Sequence, residues 1–465
     1  MSNPTIPTTD RSEAFVQIMT QRMASVARSL ADYVQAEPRP LQDLEAHIVR
    51  VLHDLGNALL TALLPLAAPP QPAPDVPCPC GRLARYQRLR PATVSTLLGQ
   101  VTLTRALYHC THCGLHLAPL DTQLQLAAGG LSTGLNEVLA LLGATQDSFA
   151  QASEVLERLC LVQLCSNSAR AATEDLGEVL ASHAQQVVAT AQQTHSAPEA
   201  ACAAPPRIYL SMDGVLAHIH DAGWKELKTG CVYTTRTRVP RSRPEKVELR
   251  AEQQRYVAAL TDAEQFGWQL WAEACRCGLT SSSDVVVVGD GAHWIWNVAE
   301  THFPHATQIL DWYHASEYVW NAATTIFGEG SEGRKQWAKQ QLDALWDGQV
   351  VDVLARLECY RSKGEAVSDA ISYYTTHQTR MDYPSYRARG LQIGSGTIES
   401  ACKQLVSARL KLAGMIWDAD GAEAVAVVRA WLKSDRWDEA MRLRPPPQRT
   451  YRRQAPAPEA LAAAA

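Results

Sequence analysis

The segment 284–290 constrains the fold most strongly. It reads Asp-Val-Val-Val-Val-Gly-Asp, and its run of β-branched residues is typical of a strand buried on both faces. Shorter apolar strands are predicted at 207–213 and 307–311, and helices at 263–275 and 294–302 alternate with the strands. This alternation predicts an α/β sheet with helices packed on its faces.

Length and composition indicate a multidomain globular protein. The chain has 465 residues, too many for one ordinary core, and 46% are hydrophobic while 20% are charged. No apolar run approaches the roughly 20 residues that span a bilayer, and the N-terminus lacks a signal-peptide pattern. We therefore expect a cytoplasmic protein without a membrane partner. The net charge of −5 does not indicate a nucleic-acid binder, although local basic patches can exist within an acidic total.

The residue pattern changes several times along the chain, and these changes predict its segments. Two helical patterns, joined by a few residues, have the outline of a helix-turn-helix, which is also common in helical segments that bind no DNA. The segments are helices over 11–66, a proline-rich linker at 69–74, short strands over 78–121, the two helical patterns at 148–159 and 166–183, and an Ala/Gln/Pro-rich linker at 187–206.

Four of the twelve cysteines form two close pairs around a predicted hairpin. Cys78 and Cys80 precede the hairpin at 93–108, and Cys110 and Cys113 follow it. Cysteine pairs that bracket a hairpin are typical of ribbon-type Zn²⁺ sites, whereas a long chain without a secretion signal is a poor disulfide scaffold. We therefore expect a structural Zn²⁺.

The first cysteine pair departs from the usual pattern. Its Cys-x-Cys spacing is one residue shorter than Cys-x-x-Cys, so coordination by all four cysteines stays open. His109 or His112 is an alternative ligand. A further pair, Cys275 and Cys277, lacks a second pair nearby and is interpreted as core packing.

Three carboxylates lie in patterns that fit a catalytic site. Asp213 and Asp290 each end an apolar strand and precede a glycine, and ligands of α/β sheets collect at the carboxyl ends of strands. The alternative is an ordinary Asp-Gly turn. Glu399 follows a glycine-rich turn in the first turn of a predicted helix over 398–412, where the helix dipole alone would favour an acid.

Convergence of these three carboxylates would suit Mg²⁺ or Mn²⁺, because hard cations prefer oxygen ligands. Two such ions, roughly 3.5–4 Å apart, can activate an attacking oxygen and stabilise the leaving one in phosphodiester chemistry. No Walker loop, serine elbow or histidine nucleophile competes convincingly in the sequence. The residues therefore favour a metal-dependent site acting on phosphodiesters.

Several sequence blocks resemble motifs of bacterial insertion-sequence transposases of the Kra group, which belong to the DDE superfamily and are related to Mutator-like transposases. The blocks keep the family's order, and the resemblance covers roughly 78–437. They are Gly-Asp-Gly-Ala-His-Trp-Ile at 289–295, Leu-Asp-Trp-Tyr-His at 310–314, Ile-Gly-Ser-Gly-Thr-Ile-Glu-Ser at 393–400, and the stretches 403–411 and 414–417.

The resemblance implies an RNase H-like catalytic domain in which Asp213, Asp290 and Glu399 form the DDE triad. Asp311 and His314 resemble a motif shared with Mutator-like relatives, and Asp311 is a rival for the second metal-binding position. We prefer Asp290, because its strand is the stronger one and its Asp-Gly context matches that of Asp213.

The predicted fold class is multidomain α+β: a helical N-terminal region with a zinc ribbon, and an RNase H-like α/β domain with an all-helical insertion. The predicted domains are a helical region at 1–68, a ribbon-like β domain at 75–125, a helical region with the helix-turn-helix outline at 126–190, the catalytic domain at 206–314 and 391–437, the insertion at 315–390, and a basic tail at 438–465.

Contact with DNA would depend on local charge. Between 380 and 411 the sequence has six arginines and lysines but two acids. We expect Lys403, Arg409 and Lys411 to contact phosphates and Trp417 to stack on bases. The alternatives are a solvated charged surface and a buried tryptophan.

These patterns predict a homo-oligomeric DNA transposase in the bacterial cytoplasm, associated with the nucleoid. It would bind double-stranded DNA at the ends of an insertion sequence, cleave it with Mg²⁺, and join the ends to target DNA. One alternative is a catalytically inactive zinc-ribbon and helix-turn-helix regulator. The other is an RNase H-like nuclease that hydrolyses DNA without rejoining it.

Overall fold

The computed structural model describes residues 8–69, 71–126, 130–239 and 248–444. The described chain is a mixed α+β protein with two separate sheets, which confirms the predicted mixed class. It divides into two compact units, residues 1–172 with 444–465, and residues 173–443.

The first unit begins with an antiparallel helical hairpin, α1 (Thr8–Ala36) and α2 (Leu41–Ala67). The predicted helices over 11–66 are therefore confirmed, with a break at 37–40. Pro38 and Pro40 lie in that break, and a residue before proline is disfavoured in the helical conformation. Tyr33 near the end of α1 stacks on His47 of α2, with ring centroids 3.8 Å apart.

A small antiparallel sheet follows the hairpin, in the order β1-β2-β3-β4. Its strands are β1 (Asp75–Pro77), β2 (Leu83–Thr96), β3 (Gly99–His109) and β4 (His116–Leu117). The predicted hairpin is confirmed, because Thr96 pairs with Gly99 across a two-residue turn. The short helix α3 (Pro119–Gln123) then packs against this sheet.

Helix α2 is the segment that bears on the expectation of a chain without a membrane partner. Within the residues that the structure describes, it is the one helix long and apolar enough to cross a membrane by length and composition, with a mean hydropathy of 1.2 over 18 residues. One side of α2 has a partner inside this unit. Leu60 and Leu64 pack against a core cluster that includes Val94, Val101 and Leu103 of the small sheet.

Three helices occupy the region of the helix-turn-helix outline: α4 (Thr133–Thr145), α5 (Phe149–Cys160) and α6 (Ser166–Thr194). Ser148 begins α5, because its hydroxyl accepts the N–H of Gln151 at 3.1 Å. Leu161 ends α5 in the left-handed conformation with a φ of 55°. The two predicted helices are thus present, but α6 continues to Thr194, so the predicted linker at 187–206 is shorter than expected.

The second unit contains the predicted α/β sheet. Its elements in chain order are β5 (Arg207–Ile219), β6 (Gly223–Arg238), β7 (Glu248–Ala259), α7 (Ala263–Arg276), β8 (Asp284–Gly289), α8 (His293–His302) and β9 (Thr307–Leu310). The strand order is β7-β6-β5-β8-β9. β5, β6 and β7 are antiparallel, whereas β8 and β9 run parallel to β5. The last four residues of β8 are buried, as its valine run predicts.

A helical block follows β9, and further helices follow the glycine-rich turn. The block contains α9 (Trp312–Phe327), α10 (Glu332–Trp346), α11 (Val350–Glu358), α12 (Glu365–His377) and α13 (Tyr383–Ala388). After the turn come α14 (Gly396–Cys402), α15 (Ala408–Leu410), α16 (Ala419–Lys433) and α17 (Trp437–Leu443). Most of the predicted basic tail, residues 445–465, lies outside the described residues.

The predicted helix over 398–412 is interrupted by a π-helical segment, Lys403–Ser407, between α14 and α15. A π segment shifts the backbone register, so carbonyl groups lose their usual partners. The buried guanidinium of Arg429 on α16 donates to the carbonyl oxygens of Gln404 and Leu405, the latter at 3.0 Å. A cation from another helix therefore stabilises the interruption.

The buried ion pair between Arg105 of β3 and Asp121 of α3 generates a prediction about the first unit. Both side chains are at most 5% exposed. Asp121→Ala removes the buried carboxylate that pairs with Arg105, so we expect a loss of about 3–5 kcal/mol in the free energy of unfolding. Urea denaturation of the full chain measures it.

The matched control is Glu154→Ala, which breaks the exposed pair between Arg158 and Glu154 on α5. This change should cost less than roughly 0.5 kcal/mol. Equal effects of the two substitutions would contradict the role given to the buried pair.

Candidate functional site

Asp213 and Asp290 lie at neighbouring positions on the large sheet. β5 and β8 are parallel, and their last paired residues are Ser211 and Val288. Both aspartates therefore come two residues beyond the same pair. Because side chains alternate between the faces of a sheet, both carboxylates lie on one face, at the end where β8 stops. The structure brings these two predicted site residues together.

The environment raises the pKa of the Asp213 carboxyl above its usual value. Burial is the largest cause, and the negative charge of Asp290 is the next. Three groups act in the opposite direction: the N–H of Gly214 donates to Oδ1 of Asp213 at 2.6 Å, the Cys402 thiol donates to Oδ2 at 3.5 Å, and His314 contributes positive charge. Asp213 therefore carries unfavourable charge that a cation would compensate.

Asp311, the predicted rival of Asp290, lies at the same level on the next strand. Gly289 pairs with Leu310, so Asp290 and Asp311 each come one residue after that pair. Asp311 is completely buried. One carboxylate oxygen accepts the N–H of His314 at 2.7 Å, and the other accepts the N–H of Ser395. These bonds make Asp311 a link between the start of α9 and the glycine-rich turn.

Glu399 is positioned by this link. The backbone N–H of Trp312 donates to the carbonyl oxygen of Ile393 at 2.9 Å, which adds a second connection to the glycine-rich turn. Glu399 lies in the first turn of α14, is exposed, and accepts a hydrogen bond from the Ser395 hydroxyl at 3.2 Å. Asp311 and Glu399 are thus connected through one residue, Ser395.

Helix α14 is held against the sheet close to Asp213. Cys402 lies three residues after Glu399, which places the two side chains on neighbouring positions of the same helical face. Burial and the adjacent Asp213 raise the pKa of the Cys402 thiol, so the thiol stays protonated and donates to that carboxylate. This contact ties the helix that carries Glu399 to the strand that carries Asp213.

The carboxylates are neighbours, but they do not form a compact set of ligand atoms. Across the described ranges, the one group of three or more metal-binding side chains whose ligand atoms all lie within 4.8 Å of one another is the cysteine cluster discussed below. The arrangement of Asp213, Asp290 and Glu399 therefore supplies oxygen donors from three neighbouring elements without a preformed cage.

Tyr373 contacts the candidate site and was missed by the sequence analysis. Its hydroxyl, on α12 of the helical block, donates to the backbone carbonyl of Asp290. Gly291 has a φ of +106°, and a Cβ there would lie 2.6 Å from the Tyr373 ring. The glycine of the Asp-Gly pair is thus required both by backbone conformation and by the close approach of this ring.

A cavity of about 610 Å³ opens beside Asp290, and α9 and α12 supply most of its wall. His314, predicted as a motif residue, lines it. The other polar lining residues are His293, Tyr318, Asp369, Ser372, Tyr373, Thr376 and His377. Burial lowers the pKa of His377 to about 4, so this imidazole is neutral near pH 7.

Glu226 is a further acid that the sequence analysis did not identify, and it lies behind the site: it pairs with Leu216, so its side chain is on the face of the sheet opposite to Asp213. Its side chain lies over Gly214, in space that a Cβ at that position would occupy. Glu226 accepts a hydrogen bond from the largely buried Lys228 ammonium at 2.7 Å. Because Lys228 pairs with Gly214 on the adjacent strand, it lies on the face of the sheet opposite to Asp213.

The predicted DNA-contacting residues fall into two groups. Lys403 and Lys411 are exposed. Arg409 is only 1% exposed, and its guanidinium lies 4.9 Å from the centre of the Trp417 ring. Trp417 is half-buried and donates from Nε1 to the carbonyl oxygen of Leu410 at 3.2 Å. A side chain buried in this way cannot contact a phosphate, so the structure contradicts the prediction of Arg409 as a DNA contact.

The four predicted zinc ligands of the first unit converge. The Sγ atoms of Cys78 and Cys113 are 3.6 Å apart, and those of Cys80 and Cys110 are 3.7 Å apart. All four Sγ atoms lie within 4.8 Å of one another. Tetrahedral Zn²⁺ with Zn–S bonds of about 2.3 Å requires sulfurs roughly 3.8 Å apart. The cluster could therefore hold a metal such as zinc.

Two backbone turns form this cluster despite the short Cys-x-Cys spacing. The N–H of Gly81 donates to the carbonyl of Cys78 at 2.9 Å, and the N–H of Gly114 donates to that of Cys110 at 2.8 Å. Backbone N–H donation from Cys113 is the largest cause that lowers the pKa of the Cys110 thiol to about 6. The metal-binding group found in the described residues contains four cysteines, so a histidine substitute is not needed.

Comparison with protein families gives one result. Residues 40–441 match the model of an uncharacterised protein family, UPF0236. The match covers most of the chain, so the protein belongs to this family. No curated protein matches the sequence.

The raised pKa of Asp213 predicts a dependence of stability on pH. The pKa of this carboxyl is higher in the folded chain than in the unfolded chain. The carboxyl therefore lowers the free energy of unfolding as the pH rises from the pKa of the unfolded chain to that of the folded chain. Asp213→Asn removes the charge but keeps an oxygen that can accept from Gly214. We therefore expect a higher melting temperature at pH 7, and a difference that disappears below about pH 4, the usual range of the Asp pKa.

Differential scanning fluorimetry from pH 3 to 8 in EDTA measures this effect. The control is Asp343→Asn, an exposed position within α10, which should leave the melting temperature unchanged at every pH. A destabilised Asp213→Asn variant at pH 7 would contradict the electrostatic interpretation.

The cysteine cluster predicts one tightly bound zinc per chain. Cys110→Ser removes a ligand, so we expect zinc content measured by plasma mass spectrometry to fall from one per chain to near zero. The matched control is Cys165→Ser, which changes an exposed cysteine outside the cluster and should retain the metal. Equal zinc content in both variants would contradict the assignment.

Proposed function

We propose that this protein is a DNA transposase that uses a DDE triad of Asp213, Asp290 and Glu399. The observation that carries the proposal is the placement of two aspartates at the same level of adjacent parallel strands. The glutamate-bearing helix contacts the first of these strands through Cys402. The sequence blocks that resemble insertion-sequence transposases of the Kra group contain these same residues.

The sheet supports an RNase H-like interpretation of the catalytic domain. Three antiparallel strands are followed by two parallel strands on the other side of β5, in the order β7-β6-β5-β8-β9. The order is consistent with that fold, and the helical block between β9 and the glycine-rich turn is consistent with an insertion between the second aspartate and the glutamate.

The residues of the site fit a hard cation, because carboxylate oxygens are the donors that Mg²⁺ and Mn²⁺ prefer. The unfavourable charge on Asp213 also favours a cation. When held by Asp213, Asp290 and Glu399, such ions would supply the Lewis acidity that phosphodiester cleavage needs. The chain's own contribution is positional: Asp311 fixes the turn before Glu399, and Tyr373 fixes the turn that carries Asp290.

The proposed reaction has two displacements at phosphorus. Water attacks a phosphodiester at the element end, the bond from phosphorus to the 3′ oxygen breaks, and that oxygen leaves as a 3′-hydroxyl after gaining a proton. The 3′-hydroxyl then attacks a phosphodiester of target DNA and displaces a second 3′ oxygen. No external oxidant or reductant is needed, since phosphoryl transfer conserves oxidation state.

We propose that double-stranded DNA contacts the exposed Lys403 and Lys411, which lie just beyond the glutamate-bearing helix. Trp417 is half-buried and offers at most part of its ring to a base. The zinc ribbon and the helices α5 and α6 are proposed to recognise the element ends. Phosphate contacts of this kind are independent of sequence and weaken as salt is raised.

The test is incubation of the full chain with labelled DNA that carries the element's own ends, in Mg²⁺ or in EDTA. We expect Mg²⁺-dependent nicks at the ends and joined products with target DNA. Asp213→Ala, Asp290→Ala and Glu399→Ala should each lower the rate at least 10³-fold, because each removes a donor to the cation that stabilises the transition state. The control Asp343→Ala changes an exposed acid on α10 and should keep full activity.

The outcomes separate the alternatives. Nicked DNA without joined products indicates a nuclease that uses the same metal site to hydrolyse DNA. Shifted but uncut DNA in both conditions indicates a DNA-binding regulator and overturns the proposal. Full activity in any one of the three alanine variants rejects that residue, and loss in Asp290→Ala with retention in Asp311→Asn excludes the rival position.

A further inference from the structure

The helical hairpin of the first unit, α1 and α2, exposes many large apolar side chains. Helix α2 has 27 residues and none of them is buried. Of α1, Met19 is the one residue among the buried hydrophobic side chains of the described chain. Large exposed hydrophobic residues on a soluble surface mark an interaction site when they are contiguous.

The exposed residues of α2 form a single stripe. Leu41, Ile48, Leu52, Leu59 and Leu63 are each 40–78% exposed. Their spacings of 7, 4, 7 and 4 residues place all five within roughly 60° around the helix axis at about 100° per residue. Leu60 and Leu64, which pack on the small sheet, lie roughly a quarter turn away and are not part of the stripe, whereas Gly56 at the edge of the stripe lies against Leu98 of the β2–β3 turn.

Helix α1 has a matching stripe. Val16, Met23 and Val34 are 53–59% exposed, and their spacings of 7 and 11 residues keep them within roughly 20° of one another. The small residues Ala27 and Ala31 lie beside them and are also exposed. Their size allows another helix to approach closely.

The two stripes lie on the same side of the hairpin. On α1 the contact with α2 includes Tyr33, and on α2 it includes His47. Each stripe is rotated from these positions in the same sense along its own helix, by roughly 90° on α1 and roughly 130° on α2. In an antiparallel pair, rotations in the same sense point to one side, so the stripes combine into one surface.

We propose that this surface, the hairpin stripe, binds the hairpin stripe of a second copy of the chain. A 27-residue helix is about 40 Å long, and two adjacent helices are roughly 20 Å wide, so the face of the hairpin that carries the stripe measures about 800 Å². This is the area that each partner contributes to a standard stable interface. In a twofold dimer both copies use the same surface patch, so a twofold axis pairs the stripe with itself.

The surface fits a second copy better than a polyanion. None of the eight large stripe residues is charged, and the nearest charged residues on the same side of the helices, Glu13 and Glu45, are acidic. DNA would be repelled by these acids and would find no cation on the stripe. Packing of two stripes would form a four-helix arrangement in which leucines meet alanines and valines.

The experiment measures the mass of the full chain by sedimentation velocity and light scattering at micromolar concentration. We expect twice the chain mass of 50.9 kDa for the wild type. Leu52→Glu with Leu59→Glu should give the single-chain mass, with an unchanged circular dichroism spectrum. The matched control is Ile18→Glu, which is 56% exposed but lies on the opposite side of α1, and it should remain a dimer.

A second pair of variants separates a direct contact from misfolding. Leu52→Lys with Leu59→Lys should also be monomeric alone, whereas mixing it with the glutamate variant should restore the dimer mass through opposite charges. A monomeric wild type, a dimeric glutamate variant, or failure of the mixture to associate would overturn the proposal. Flotation of a monomeric wild type with lipid vesicles would assign the stripe to a membrane surface instead.

Discussion

The parallel register of β5, β8 and β9 is the constraint on which the candidate site depends. Pairing of Ser211 with Val288, and of Gly289 with Leu310, brings Asp213, Asp290 and Asp311 to the same level of three adjacent strands. A shift of one residue in either pairing would turn a carboxylate to the opposite face. The positions of the acids are therefore fixed by the hydrogen bonds of the buried strands.

The carboxylates of Asp213, Asp290 and Asp311 lie close together at one edge of the large sheet, and their surroundings differ. Asp311 is completely buried, yet backbone N–H groups of His314 and Ser395 donate to both of its oxygens. Hydrogen bonds to the charged form stabilise it. Asp213 has weaker compensation, and its pKa is raised by burial and by Asp290. One aspartate thus acts as a structural link, while the surroundings of Asp213 disfavour its charged form.

Much of this organisation can be predicted from the sequence, because strand patterns and closely spaced cysteine pairs are local features. The valine run at 284–288 and the strand-ending aspartates predict the parallel edge. The cysteine pairs predict the cluster, although the Cys-x-Cys spacing could not reveal whether all four sulfurs converge. That outcome depends on the turns at Gly81 and Gly114, whose hydrogen bonds close both pairs.

Other features depend on contacts that sequence patterns do not encode. Arg409 lies in a basic stretch and was interpreted as a DNA contact, but the preceding π segment rotates the helix and the side chain is buried over Trp417. Tyr373 is 83 residues from Asp290, and the signal that could have suggested such a contact is the glycine at 291. A glycine with positive φ beside a strand end indicates close approach by another group.

The contacts that support the three candidate site residues differ in kind and in strength. Asp290 is held through its backbone carbonyl by Tyr373, and Glu399 is held through its side chain by Ser395. The contact of Asp213 with Cys402 comes from a protonated thiol, a weak donor. Elsewhere in this unit Arg436 pairs with the buried Glu273. The described hydrogen bonds of Asp213 include no such ion pair, and in the proposed site a cation would compensate its charge.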